Sequence, residues 1–252
     1  MRTTSRLLFG AAAIAILFAP AAPRAGAEEK AKKRDVKRGK TEEKTPVPAT
    51  AAEVEAGEAE SVVHVGNLIY ARVKSSVCFS DHFLRAAAEQ STVSTSRRFQ
   101  AVKLESRDVF RYPLVIMTGE GGFTLPEEER ANLAEYLKRG GFLLASAGCS
   151  SKDWDRAFRS EIAKVLPDRP LKALSMQHPV FHTVKDIGSL VVKTGTPKPL
   201  EGIEIDGRLA VVYSSDGLND TAHVSGCCCC GGNEIRNAVE INVNVLAYAL
   251  TH

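Results

Sequence analysis

The sequence is marked first by what it lacks. It has no apolar run of the roughly 20 residues that a membrane-spanning helix needs; the longest such segment, Leu7 to Ala19, is shorter. It has no G-x-G-x-x-G and no Walker Lys-Ser/Thr, which removes the usual phosphate-loop signatures. No internal repeat is visible, and no pair of carboxylates stands at a spacing that argues for glycosidase chemistry. Charge of one sign is missing as well. The formal charge of +3 rests on Arg2, Arg6 and Arg24, because the first 27 residues contain no acid and leave 30 basic against 30 acidic groups behind them. A nucleic-acid binder keeps a basic footprint in its folded part, so nucleic acid is not expected as a partner.

What is present begins with a targeting pattern. Arg2 and Arg6 precede the apolar segment, and Ala25-Gly26-Ala27 has the small-x-small form that signal peptidase cuts. Residues 1–27 therefore read as a Sec-type signal peptide, with the mature chain starting at Glu28, no transmembrane span in it, and a periplasmic or extracellular destination. Residues 28–61 carry a basic run from Lys30 to Lys44, then Pro46, Pro48 and an Ala/Glu stretch. Such a composition buries no core and predicts a charged, disordered linker. Residues 62–252 have the composition of one globular domain.

Within that domain the stretch from Tyr112 to Cys149 gives the architecture. Leu114 to Thr118 is apolar without polar alternation, as in a strand covered on both faces. The spacing Thr124-Leu-Pro-Glu127 predicts a capping box that opens a helix. Leu133 and Leu137 lie on its apolar stripe, and Gly140 and Gly141 close it. Phe142 to Ala147 is the next strand, parallel to the first through a right-handed crossover. Val65 to Ala71 and Ala101 to Leu104 read as further strands, separated by a helix that Ser80 can cap. Ser150 or Ser151 caps a helix carrying Trp154, Phe158 and Ile162 at helical spacing. Ile203 to Ile205, Asp206-Gly207 and Leu209 to Val212 form a hairpin, and Asn233 can cap a final helix. The pattern predicts a three-layer α/β sandwich with a mostly parallel sheet and an antiparallel hairpin toward one edge.

Chemistry could reside in the thiols. Cys227, Cys228, Cys229 and Cys230 are consecutive. Soft thiolates suit Zn, Cu(I) or an iron–sulfur centre. Adjacent residues of an extended segment point to opposite faces, so further ligands would have to come from elsewhere. Cys149, at the end of a central strand, is the most natural one, followed by His178 and His223. Disulfides are the competing use, because an exported chain meets an oxidising compartment and six cysteines allow 15 pairings. A catalytic thiol is the third. Cys149 stands where a nucleophile elbow would place it, and His178 or His223 could serve as its base. Yet Ala147-Gly148-Cys149-Ser150-Ser151 lacks the Gly-x-Cys-x-Gly form, and no His-x-Glu follows. Glu120, beside the Gly119 to Gly122 turn, would act as a general base only if partly buried.

The ordered set Tyr112-Pro-Leu-Val-Ile-Met-Thr-Gly119, Gly122-Phe123, Tyr136-Leu-Lys-Arg-Gly-Gly-Phe-Leu-Leu144, His178-Pro-Val-Phe181, Gly202-Ile203, Gly207-Arg208 and Asn233-Glu234 resembles the family known as domain of unknown function 4159. The resemblance runs from about Val62 to the C-terminus. It implies a class I glutamine amidotransferase-like fold, a flavodoxin-like sandwich, and brings no established activity. Two functions follow as expectations. One is an exported binding or interaction module, with a protein partner, whose cysteines are structural or hold a metal. The other is a thiol- or metal-dependent enzyme centred on Cys149 and Cys227 to Cys230.

Overall fold

The computed structural model describes residues 62–73, 78–220 and 232–252. A seven-stranded sheet forms the middle layer, in the order β2-β1-β3-β4-β7-β6-β5. Its strands are β1 (Val65–Ile69), β2 (Gln100–Lys103), β3 (Leu114–Gly119), β4 (Phe142–Ala147), β5 (Lys172–Ala173), β6 (Glu201–Ile205) and β7 (Arg208–Ser214). The first five in that order run parallel, while β6 and β5 are antiparallel additions at one edge. β3 and β4 pair over their whole length from Leu114↔Phe142 to Gly119↔Ala147. Every residue of both is buried, which is why their sequences show no alternation.

Among the described residues four α-helices cover the two faces: α1 (His82–Gln90), α2 (Glu127–Lys138), α3 (Lys152–Val165) and α4 (Ala238–Thr251). Phe83 and Leu84 of α1 and Ile241 and Val245 of α4 pack with Leu114, Ile116 and Leu144 on one side. Leu133 and Leu137 of α2 and Trp154, Phe158 and Ile162 of α3 pack with Val115, Met117 and Leu143 on the other. Alternate residues of a central strand thus feed opposite cores, giving the three layers. Among the described residues no helix is long and apolar enough to cross a membrane.

Three local expectations are corrected. The helix after β3 starts at Glu127 with Pro126 as its N-cap, and Thr124 makes no capping bond. The residue before a proline is driven to extended backbone, so Leu125 cannot supply the first turn and instead buries its side chain. The last helix starts at Ala238, not beside Asn233. Segment 232–237 is spent on the neighbouring loop: Thr194 N–H donates to Asn233 Oδ1 (2.9 Å) and Val191 N–H to Asn237 Oδ1 (3.0 Å). At α1 the N-cap is Asp81, while Ser80 Oγ accepts from His82 N–H (3.0 Å). Ser151 does cap α3, its Oγ accepting from Trp154 N–H (3.3 Å).

Buried polar bonds lock the carboxyl ends of the strands together. Tyr70 OH, just beyond β1, donates to the Thr118 carbonyl of β3 (2.9 Å) and accepts from Trp154 Nε1–H of α3 (2.7 Å). Leu218 N–H, past β7, donates to Ser146 Oγ of β4 (2.8 Å). These bonds join strands at the edge where ligands collect in open α/β sheets.

Candidate functional site at the carboxyl edge of the sheet

Strand β4 ends in a single turn, Gly148–Ser150, whose Cys149 lies at φ 52, ψ 30, with Ser150 at φ 54. Two successive left-handed residues with side chains cost roughly 1–2 kcal/mol each, so the turn has to be held from outside. Cys149 N–H donates to Glu234 Oε1 (2.9 Å), 85 residues away in sequence. Ser150 Oγ–H donates to the Asp216 carbonyl (2.6 Å) and accepts from Asn233 N–H (2.8 Å). Ser151 Oγ–H donates to the Glu120 carbonyl past β3. Gly232 presses its backbone on the same turn: a Cβ there would stand 2.9 Å from the Cys149 carbonyl carbon. The ends of β3, β4 and β7 and the start of the last segment thus meet at Cys149.

Sulfur and carboxylate converge there. Cys78 Sγ, Cys149 Sγ and a Glu120 carboxylate oxygen lie within 4.8 Å of one another. Cys78 and Cys149 are both disulfide-bonded. The 3.5 Å approach of Cys149 Sγ to Glu120 Oε1 is then a contact without a proton, because a disulfide sulfur has none to donate. Glu234 is the second carboxyl. Burial, reinforced by the charge of Glu120, pushes it up to about 7 in spite of the bonds from Cys149 N–H and Asn219. Asn219 Nδ2–H supplies the latter at 2.5 Å. A carboxyl poised near neutrality can exchange a proton or receive a cation.

The structure does not bring His178 to this place. Its Nδ1 accepts Val180 N–H (3.1 Å), its ring lies 5.6 Å from that of Tyr248, and burial lowers its basicity. It lines a cleft of about 510 Å³ with Glu204, Asp206 and Gly207, at the hairpin turn. That turn precedes β7, which runs parallel to β4, so His178 stands at the opposite edge of the sheet from Cys149. The expected ligands Cys227, Cys228, Cys229, Cys230 and His223 lie outside the described residues. Sequence reasoning missed Cys78 and Glu234 as members of the site. Cys78 was legible only as one of six thiols, and Glu234 only as part of the Asn233-Glu234 pair in the family pattern.

Fold and site define a doubly wound α/β domain with a cysteine- and carboxylate-lined carboxyl edge. A family model described as domain of unknown function (DUF4159) matches residues 64–250, and the chain belongs to that family. No curated protein matches the chain.

Proposed function

We propose that this chain is an exported, non-catalytic binding module: a leader at 1–27, a tether at 28–61 and a domain at 62–252 that takes its ligand at the carboxyl edge. The observation that carries this reading is that Cys149, the one residue placed as an elbow nucleophile would be, is disulfide-bonded. A sulfur in that state is neither a nucleophile nor a metal ligand. The same state suits a periplasmic or extracellular chain. The balanced charge beyond the leader favours a protein or small-molecule partner over nucleic acid. The test is iodoacetamide labelling of the protein secreted from its own full-length sequence, with and without reductant, read by mass spectrometry. The module predicts a mature N-terminus at Glu28 and no label on Cys149 before reduction. Selective labelling of Cys149 in the native oxidised protein would replace it with a thiol enzyme.

A second reading is favoured by the convergence of Cys78, Cys149 and Glu120. In the reduced chain two thiolates and a carboxylate would suit a borderline-soft ion such as Zn, with Cu(I) or an iron–sulfur centre as further options. Cys227 to Cys230 and His223 are its proposed additional ligands. Elemental analysis of protein reduced and purified anaerobically decides it: stoichiometric metal lost in Cys149→Ser supports the centre, and metal-free protein removes it.

A further inference from the structure

A cleft of about 300 Å³ lies beside the carboxyl edge, against the start of α4. Three residues with acceptor oxygens line it, Glu234, Asp220 and Asn219. Asn219 is 3 % exposed, and its amide orientation is fixed because Nδ2–H donates to Glu234 Oε1. Its other atom, Oδ1, is buried and has no hydrogen-bond partner among the described residues. A buried carbonyl oxygen without a protein donor is costly to leave bare, and it calls for a water, an ion or a ligand donor. Asp220, which faces His82 Nδ1 at 3.3 Å, is a second carboxyl of the same lining. Ile235, Ala238 and Val239 are the apolar residues of the lining. Among the described residues Arg236 is the single basic residue of the lining, and it is exposed.

The complementary ligand has N–H donors and positive charge at one end and a short hydrocarbon at the other. We propose that this cleft binds a primary alkylammonium group, its N–H donors directed to Asn219 Oδ1 and the Glu234 carboxylate and its alkyl chain laid along Ile235 and Val239. An anion fits poorly, because the buried polar groups of the lining are acceptors and Arg236, the one cation among the described lining residues, is exposed. The inference rests on the reading of the carboxyl edge as a binding site and names the chemistry it takes. A lysine side chain and a free diamine share that chemistry.

The experiment is calorimetric titration of the oxidised mature chain with butylammonium chloride, against sodium butyrate of the same shape and opposite charge. Butylammonium should bind with a Kd of about 1 mM or tighter, and butyrate at least about tenfold more weakly. Glu234→Gln should weaken the amine by about tenfold. Val239→Phe, which fills the apolar end and leaves the polar atoms in place, should abolish binding, while Arg236→Ala should tighten it. Nα-acetyl-lysine methylamide and putrescine then separate the sources, the tighter of the two identifying a peptide or a free amine. Equal binding of butylammonium and butyrate, no binding of either, or amine binding that Glu234→Gln and Val239→Phe both leave unchanged would overturn the inference. Loss of amine binding with Cys149 still closed to alkylation overturns it alone, whereas native alkylation of Cys149 overturns the binding-module reading.

Discussion

Glu234 holds the Cys149 turn by accepting its N–H while paying for burial of its own charge. Its folded-state pKa of about 7 lies above the ordinary carboxyl value of 4.5. Between those values the folded chain binds more protons than the unfolded one, so stability falls as pH rises. The contribution of this group is fully present below about pH 4.5 and lost as pH passes through about 7. Burial also raises Glu129, and the Arg107 bond lowers Glu135, so the total profile mixes several carboxyls. A difference isolates one. The urea midpoint of wild type minus that of Glu234→Gln should decline steadily from pH 5 to pH 7.5. A difference that stays flat would remove Glu234 from the account. The sequence marked this residue only as half of the Asn233-Glu234 pair, because its character comes from meeting Cys149, Asn219 and Glu120 in space. Cys149 could be foreseen as a strand-end residue, since a buried strand, a turn and an amphipathic helix are all local patterns.

Elements tell the same story on a longer length scale. The buried runs of β3 and β4 and the stripe Trp154, Phe158, Ile162 were readable because pleat and helix impose fixed periods on burial. The two-residue β5 and the late start of α4 were not, because both depend on partners far along the chain. β5 exists only through its pairing with Gly202 and Glu201. α4 waits until the 232–237 segment has satisfied the 189–194 loop. At α3 local and distant demands coincide in Ser151, which caps the helix and also ties the Glu120 carbonyl to the Cys149 turn. Ser151→Ala should therefore cost more than an ordinary cap, about 2 kcal/mol where a cap alone costs about 1. Denaturant unfolding measures the total. Ser151→Gly gives a second reference, since glycine at an N-cap typically costs only a few tenths of a kcal/mol; if Ser151→Gly loses as much as Ser151→Ala, the tie to Glu120 and not the cap dominates.

At the scale of the whole domain, the sheet and its two cores are held by burial, whereas the loops at the carboxyl edge add left-handed turns and close carboxylates to the apolar anchors Phe123, Leu218 and Ile235. Cross-links there do what the core cannot. Cys78 follows β1 and Cys149 follows β4, so disulfides at both restrain chain that enters the edge from different parts of the sheet. Removing a native disulfide costs typically about 2–5 kcal/mol, in large part by freeing the unfolded chain. Full reduction should lower the unfolding free energy obtained from urea titration by an amount in that range or above it, seen as a lower midpoint. Cys149→Ala should lower the midpoint of the oxidised protein, and under reductant it should lose little more than the reduced wild type, because the same cross-link cannot be lost twice. Should oxidised and reduced wild type unfold at one midpoint, the cross-links contribute nothing to the fold, and the left-handed turn at Cys149 is held by Glu234, Ser150 and Gly232 alone.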